Sequence, residues 1–471
     1  MSFTKQTTPI SPSETSVSRI TMSIIAMIIN YDCLAYFDAN VQLSAQTLST
    51  SIRNSSPPPP LAAENSTLLS EIQHAAFTLI GYPRPACPIH DWHRERYQSL
   101  LDSRKTLFLA INLHNNANVA PNIMQELPVL LRLLGPHNVH VSIYESGSFD
   151  ETPRFLGLRE SHGIHTFPVI SRRLTYSCVM AVAQALDALG TSYDIISLGL
   201  QETPEKTFGH RIEVLAAVRN AAMKPLYDGV IVQHMPGKRF DTVLVLNDII
   251  WCTVDVLEVL YQKEERGAHE ACSVDWDWNG RIVYDRWVLR TMSGRPWYEH
   301  DGLVKHFYDD RSLDEKPIPV PLPFDPEDHE RFVSLLPLQV FSCWNGMAAF
   351  DPAVFLEHGI RFRGARSDND GWGNVTEPSD IASECYLISV DMWKKKVGKI
   401  VLASRARVAY SVDDYERYRT DTKVGEMGAD AARALSQKET FDWVPTPPEK
   451  VTMHDFAWWE NEERWAPWDE L

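Results

Sequence analysis

The chain has 471 residues, 44% hydrophobic and 23% charged, an ordinary globular composition with room for one large domain or two medium ones. A formal net charge of -17 argues against a nucleic-acid backbone as partner. It leaves open a phosphorylated small molecule, which needs only a local basic pocket or a metal.

Residues 1–66 are Ser/Thr-rich and include Asn54-Ser-Ser-Pro-Pro-Pro-Pro60, a polyproline spacer, so this region is expected to be stem-like or disordered. The apolar run Ile20–Ile29 is ten residues long, too short to cross a bilayer. With only Lys5 and Arg19 as basic residues upstream, it is also a poor secretory signal. The globular part is expected over 67–471. Residues 68–101 read as helical, broken at Arg84-Pro-Ala-Cys-Pro88. Leu107–Leu113 is a buried strand. Ile123, Leu127, Leu130, Leu131 and Leu134 recur at helical spacing up to Gly135, with Pro128 as a kink. Val139, Val141 and Ile143 mark the next strand, which exits into a polar loop, Glu145 to Thr152.

A helix over 181–190, a strand over Tyr193–Leu198, a helix from Arg211 to about Leu226 and a strand over Thr242–Leu246 follow. Leu257, Leu260 and Tyr261 mark one more helix. Alternating strands and helices predict an α/β, Rossmann-like, mostly parallel sheet. Beyond about 270 the pattern is irregular, with a helix near 379–396 and a strand over Lys399–Leu402. The C-terminal stretch from His454 to Trp468 carries Trp458, Trp459, Trp465 and Trp468, and is expected to pack back on the core.

The strand Thr242–Leu246 runs straight into Asn247-Asp248, and a second acidic cluster, Asp275-Trp276-Asp277, follows one helix later. A buried strand delivering a carboxylate at its end is how open α/β sheets build ligand sites. Two such clusters suggest a divalent cation holding a phosphate; the plainer alternative is two polar strand exits. Asp275 and Asp277 alternate around Trp276, so in a strand they share one face. Arg211 and Arg219, eight positions apart, fall on broadly one side of a helix. Of seven Cys, Cys252, Cys272, Cys343 and Cys385 lie in the expected core, as buried thiols or as disulfides whose pairing stays open.

The ordered motifs Glu145-Ser-Gly-Ser-x-Asp-x-Thr152, Arg211-Ile-Glu-x-Leu-Ala-x-x-Arg219-Asn220, Leu246-Asn-Asp248 and Cys272-Ser-x-Asp275-Trp276 continue as Tyr284-Asp285-x-Trp287, Phe341-Ser-Cys-Trp-Asn-Gly346 and Ser383-Glu384-Cys385. Together they resemble the fungal capsule-associated α-1,3-mannosyltransferases, glycosyltransferase family 69, over roughly residues 104–415. The resemblance implies a GT-A-type central mixed sheet flanked by helices, with a nucleotide-binding half over about 104–270 and an irregular acceptor half over about 271–440. It implies GDP-mannose as donor, a mannose-containing glycan as acceptor, Mn2+ or Mg2+ as cofactor, and α-1,3 transfer with retention. Capsule, cell-wall or glycolipid synthesis in the Golgi or secretory lumen follows, as does an N-terminal membrane anchor. A non-catalytic protein on the same fold, or a transferase using another nucleotide sugar, is the alternative.

Mapped onto this sequence, the resemblance makes Asp248 the first metal ligand and His454 a further one, although a lone surface His is the plainer reading. Glu145, Ser146, Arg211, Arg219, Asn220, Asn247 and Asp275 are expected at the donor. The Glu145–Thr152 loop could equally be a helix-capping turn, and Arg211 a surface cation. Trp344, Asn345 and Asp285 are expected at the acceptor, with Trp344 as a sugar platform or else a core residue. Glu384 and Asp277 are the catalytic candidates; Glu384 at a helix start could instead serve as a cap. Residues 155–180 depart from the family pattern and read as an insertion or a retained intron.

Overall fold

The structure, a computed structural model, describes residues 51–54, 69–74, 82–152, 156, 181–197, 211–229, 239–277, 282–285, 287–297, 323, 325–364, 382–422, 429–453 and 464–470. The expectations for 155–180 and for the run Ile20–Ile29 fall, but for Leu156, outside them. Among the described residues, no helix is long and apolar enough to cross a membrane.

Among the described residues, thirteen strands form in chain order: β1 (Ser51–Asn54), β2 (Leu107–Leu113), β3 (Val139–Glu145), β4 (Ser192–Ser197), β5 (Thr242–Leu246), β6 (Glu270–Asp277), β7 (Ile282–Val283), β8 (Arg290–Thr291), β9 (Leu338–Ser342), β10 (Met347–Phe350), β11 (Ile400–Ala409), β12 (Lys450–Met453) and β13 (Arg464–Pro467). Eleven make one mixed sheet in the order β1-β4-β3-β2-β5-β10-β6-β11-β9-β8, with β7 paired on β6. Strands β4, β3, β2 and β5 are parallel neighbours. Then β10 enters antiparallel between β5 and β6, making the second half mixed. Ser51–Asn54, inside the stretch expected to be stem-like, pairs antiparallel with β4 at the sheet edge.

Strand side chains alternate between two cores, one on each face of the sheet. Leu107, Leu109 and Ile111 join Leu244, Leu246, Met347 and Ala349 on one face. Phe108, Ala110, Val243, Val245, Ala348 and Phe350 pack on the other. Helices α1 (Ala120–Leu134), α2 (Ala181–Leu189) and α4 (Thr253–Arg266) cover the first face, and α3 (Arg211–Tyr227) and α5 (Glu384–Lys394) the second. Both faces being covered explains why β2, β3 and β5 read as near-continuous apolar runs.

Pro128 sits inside α1 as the sequence shows. Its missing N–H orphans the carbonyl four residues back, at Met124. Gln73 Nε2 donates to that carbonyl at 2.7 Å, so a neighbouring segment repairs the gap. Among the described residues, two disulfides add covalent ties, Cys87–Cys252 and Cys272–Cys343, while Cys385 is a free buried thiol. The first fastens the segment before Asp91 to the start of α4; the second fastens β6 to the turn after β9. In the C-terminal stretch β12 and β13 pair as a hairpin, and the Arg290 Nε donates to Thr452 O at 2.9 Å. Val451 and Met453 are buried there while Trp465 is half exposed, so the hairpin docks through its apolar strand face rather than through that indole.

Candidate active site

The carboxyl ends of β2, β3, β5, β6 and β11 and the amino end of β10 lie at one end of the sheet, as their registers require. Asn247 extends the ladder by one bond, its N–H donating to Gly346 O at 2.9 Å. The turn Trp344–Gly346 that precedes β10 therefore packs directly on Asn247-Asp248. Asn345 and Gly346 both have left-handed backbones, φ 50° and 79°. A Cβ at Gly346 would also meet Ile249 Cγ2 at 2.9 Å, so only glycine fits there.

Arg219 on α3 is the hub of this end. Its Nε donates to Glu384 Oε1 at 2.8 Å and its Nη1 to Asn247 Oδ1 at 2.6 Å. The guanidinium lies over the Trp344 ring, 4.5 Å from its centroid. Trp344 Nε1 donates to the same Asn247 oxygen at 3.2 Å. Trp344 is fully buried, with Phe362 edge-on to it at 5.5 Å. No ring face is open to a sugar; the platform reading gives way to a packing role, because Arg219 occupies the face a pyranose would need. Glu384 is also buried, at the first position of α5, with Ser383 as N-cap accepting from Cys385 N.

Asp248 lies just beyond β5 and is half-buried; its Oδ2 accepts from Asn116 Nδ2 at 2.9 Å. Burial raises its pKa above the ordinary value, opposed by the Asn116 bond and by the charges of Arg219 and His114. At the neighbouring strand end, Asp275 Oδ1 accepts from Asn345 Nδ2 at 2.7 Å and from Asp285 N at 3.2 Å, and its Oδ2 from the Tyr410 hydroxyl at 3.3 Å. Burial pushes Asp275 up to about 6. Asp285 is also pushed well above the ordinary value, by burial first and then by the charges of Asp275 and Glu384, against the pull of Arg219. The sequence pairing of Asp275 with Asp277 is thus replaced by Asp275 with Asp285. Asp277, two residues on, is half-buried where β6 turns toward β7.

The loops after β2 and β3 are knitted into one wall. Asn115 N donates to Ser148 Oγ at 2.8 Å and Phe149 N returns a bond to Asn115 Oδ1 at 3.0 Å. Asn116 N donates to Thr152 Oγ1, Ala117 N to Asp150 Oδ2, and His114 Nδ1 lies 3.1 Å from Ser146 O. Glu145 is buried, accepting from Ser148 N and from the Ser197 hydroxyl, so its carboxylate shapes this loop. Ser146 is buried too, its N–H donating to Leu113 O at 3.1 Å. Asn220 holds another segment: its Nδ2 donates to Phe362 O at 2.7 Å and its Oδ1 accepts from Phe362 N at 3.2 Å. That is a structural staple between α3 and the Phe362 segment. Arg211 opens α3, but its side chain is not among those described, and His454 lies outside the described residues.

His114, Asn116 and Tyr410 belong to this end of the sheet and were not singled out in the sequence. The signal was there for the first two: His114-Asn-Asn116 leaves β2 as Asn247-Asp248 leaves β5. Tyr410 leaves the carboxyl end of β11 beside an apolar run and carries no such mark.

The family model described as Cryptococcal mannosyltransferase 1 matches residues 106–391, which span the ends of β2, β3, β5 and β6, the turn before β10 and Glu384. The chain belongs to that family. Within it, the chain is 27% identical over 423 residues to the alpha-1,3-mannosyltransferase CMT1 of Cryptococcus neoformans var. neoformans serotype D, covering 82% of this chain and 79% of that protein. Among solved structures, S. aureus TarS 1-349 aligns over 70% of this chain and 69% of its own at 10% identity and a TM-score of 0.31. Glucosyl-3-phosphoglycerate synthase from Mycobacterium tuberculosis, in complex with Mn2+ and UDP-glucose, aligns over 82% and 93% at 12% identity and a TM-score of 0.28. At these scores neither structure assigns a role to any residue of this family member.

The chemistry of the donor set suits a divalent cation. Asp248, Asp275, Asp285 and Glu384 carry hard carboxyl oxygens at this end of the sheet, and although among the described residues no three of them lie within 4.8 Å of one another, a cation could take one or two of them; the charge of Arg219 reaches Asp248, Asp285 and Glu384. One arginine leaves these carboxyl groups short of positive charge. By contrast, the one compact trio of ligand-type side chains among the described residues, Cys87, Glu126 and Cys252, has both sulfurs in a disulfide and Glu126 engaged by Thr253. That trio is a structural joint.

Proposed function

We propose that this protein is a GT-A-type mannosyltransferase that moves mannose from GDP-mannose to a mannose-containing glycan, forming an α-1,3 linkage with retention, with Mn2+ or Mg2+ bound. The observation that carries the reading is the meeting of Asp248, the Arg219–Glu384 pair and the Asp275–Asp285 pair at one end of the sheet, within a chain of the cryptococcal mannosyltransferase family.

Asp248 would hold the cation, steadied by the Asn116 amide on its other oxygen. A bound divalent cation supplies charge neutralisation for a departing diphosphate. Arg219, clamped by Glu384, Asn247 and the Trp344 face, adds a fixed positive charge that needs no reorganisation when the diphosphate leaves. The loop pair 114–117 and 145–152 offers the wall against which the nucleoside would lie. Asp285, positioned by the buried Asp275 that Asn345 and Tyr410 hold, would orient sugar hydroxyls. Glu384 has its Oε1 committed to Arg219, which favours a positioning role over direct attack on the sugar. GDP-mannose and the product are both α-linked, so retention requires no particular covalent nucleophile. The two disulfides support an oxidising compartment, and we assign the protein to the secretory lumen, in the Golgi.

The test is a donor panel, GDP-mannose with UDP-glucose and UDP-xylose, incubated with and without Mn2+ and read by mass. Release of GDP from GDP-mannose alone, lost on chelation, is the expected result. Turnover of a UDP-sugar instead would overturn the donor, and undiminished turnover by Asp248→Ala would overturn the ligand.

A further inference from the structure

Tyr284 follows β7 and is half exposed, at 50%. A single exposed tyrosine is ordinary; its surroundings are not. Its ring packs on Tyr410, centroids 4.4 Å apart, and Tyr410 donates its hydroxyl to Asp275 Oδ2 at 3.3 Å. The backbone of the same turn is pinned to the same residue: Tyr284 N donates to Asp275 O at 3.0 Å and Asp285 N to Asp275 Oδ1 at 3.2 Å. Asn345, wholly buried, donates its side-chain amide to Asp275, and its backbone N–H to the Asp285 carboxylate. A half-exposed aromatic ring, packed at a 51° tilt on another ring, thus stands beside the Asp285 carboxyl, and the wholly buried Asp275 fixes the backbone of both from below. The charges of Asp275, Asp285 and Asp248 all reach Tyr410, which ties this corner to the cluster around Asp248.

We infer that Tyr284, packed on Tyr410 and beside Asp285, forms a pyranose-binding subsite, with the Tyr284 ring as the platform, the half-buried Asp285 carboxyl as hydroxyl partner and the wholly buried Asp275 as the residue that positions both. A pyranose presents C–H groups on its face and hydroxyls around its rim. It therefore matches an apolar ring beside fixed oxygens, as small-molecule sites combine apolar area with a few placed polar groups. Trp344, the aromatic first expected to carry a sugar, is sealed under Arg219 and cannot serve. As the acceptor position, the subsite rests on the transferase reading; as a place for a pyranose, it does not.

Calorimetric titrations of the full chain with methyl α-mannoside, and separately with GDP plus Mn2+, test this on wild type, Tyr284→Ala and Tyr284→Phe, with melting temperatures as the folding control. We expect Tyr284→Ala to weaken methyl α-mannoside binding roughly tenfold or more and to leave GDP affinity unchanged, and Tyr284→Phe, which keeps the ring face, to bind both like wild type. Equal mannoside affinity in wild type and Tyr284→Ala overturns the inference, as does a wild type that binds no mannoside. Loss of GDP binding in a folded Tyr284→Ala overturns it in favour of a nucleotide-stacking ring. Mannoside binding without any GDP binding in wild type sinks the donor assignment above and leaves the subsite standing.

Discussion

Two buried arginines in this molecule keep opposite company. Arg96 grips Glu258 through Nε and Nη2, both at 2.8 Å, and reaches Glu439 at 2.7 Å, while Arg405 lies 3.2 Å from the same Glu439. Two guanidinium groups meet two carboxylates, and Tyr97 and Gln262 fill in the remaining bonds to Glu258. Burial pushes Glu258 up, yet the charge and bonds of Arg96 carry it down to about 2. Around Arg219, by contrast, several carboxyl groups gather, and there Asp248, Asp275 and Asp285 all move upward. A matched network fixes the scaffold; an unmatched one is left ready for a cationic or hydroxylated guest. The chain invests its balanced charges where α4 must stay put and its surplus negative charge where a ligand is to arrive.

That contrast can be broken by removing one member of each network. Arg96→Ala leaves Arg405 to balance both the buried Glu258 and Glu439 and should cost about 3–5 kcal/mol by chemical denaturation, as breaking a buried pair does. An unfolding midpoint like that of wild type would dissolve the distinction. Asp248→Asn, in the unmatched network, should do the reverse: leave the melting temperature equal or slightly higher, and lower turnover on the order of 100- to 1,000-fold in the donor assay.

The titration behaviour sharpens the point. Asp275 moves from 3.8 to about 6, so between those values the folded chain binds more protons than the unfolded one. Stability should therefore fall as pH rises through that window, by on the order of 2 kcal/mol, and Asp275→Asn should remove that slope. Denaturation midpoints at pH 4, 5, 6 and 7 read it directly, and parallel curves for the two proteins would refute the raised carboxyl. The smallest effect belongs to Asn220→Ala. Losing its two bonds to Phe362 should cost about 1–2 kcal/mol and leave GDP affinity intact, whereas a donor-binding asparagine would shift that affinity instead.

Much of this was legible in the chain. Strands β2, β3 and β5 are short apolar runs that end in polar residues, and the structure keeps those ends together because parallel strands share a direction. Asp248 and Asp275 could be found because a carboxylate beside a buried run has few structural uses. The long strand β11 was cut short at Leu402, since Arg405 and Arg407 interrupt its apolar pattern, although both are buried, Arg407 over Trp276 at 5.3 Å. Trp344 was open to either reading, because whether an indole face is free depends on an arginine 125 positions earlier in the chain. Asp285 gained its true partner only when the β6–β7 hairpin folded back, and Cys87 was passed over as a loop residue, its sulfur being 165 residues from its mate.

That last distance has a practical meaning. The Cys87–Cys252 link turns β2 to β5 into a covalent ring that closes before β6 begins. A protease that nicks the chain anywhere between those cysteines leaves a single species on a non-reducing gel and two fragments once thiol is added. The electrophoretic pattern thus reports whether a preparation has formed its ring, before any sugar is offered to it.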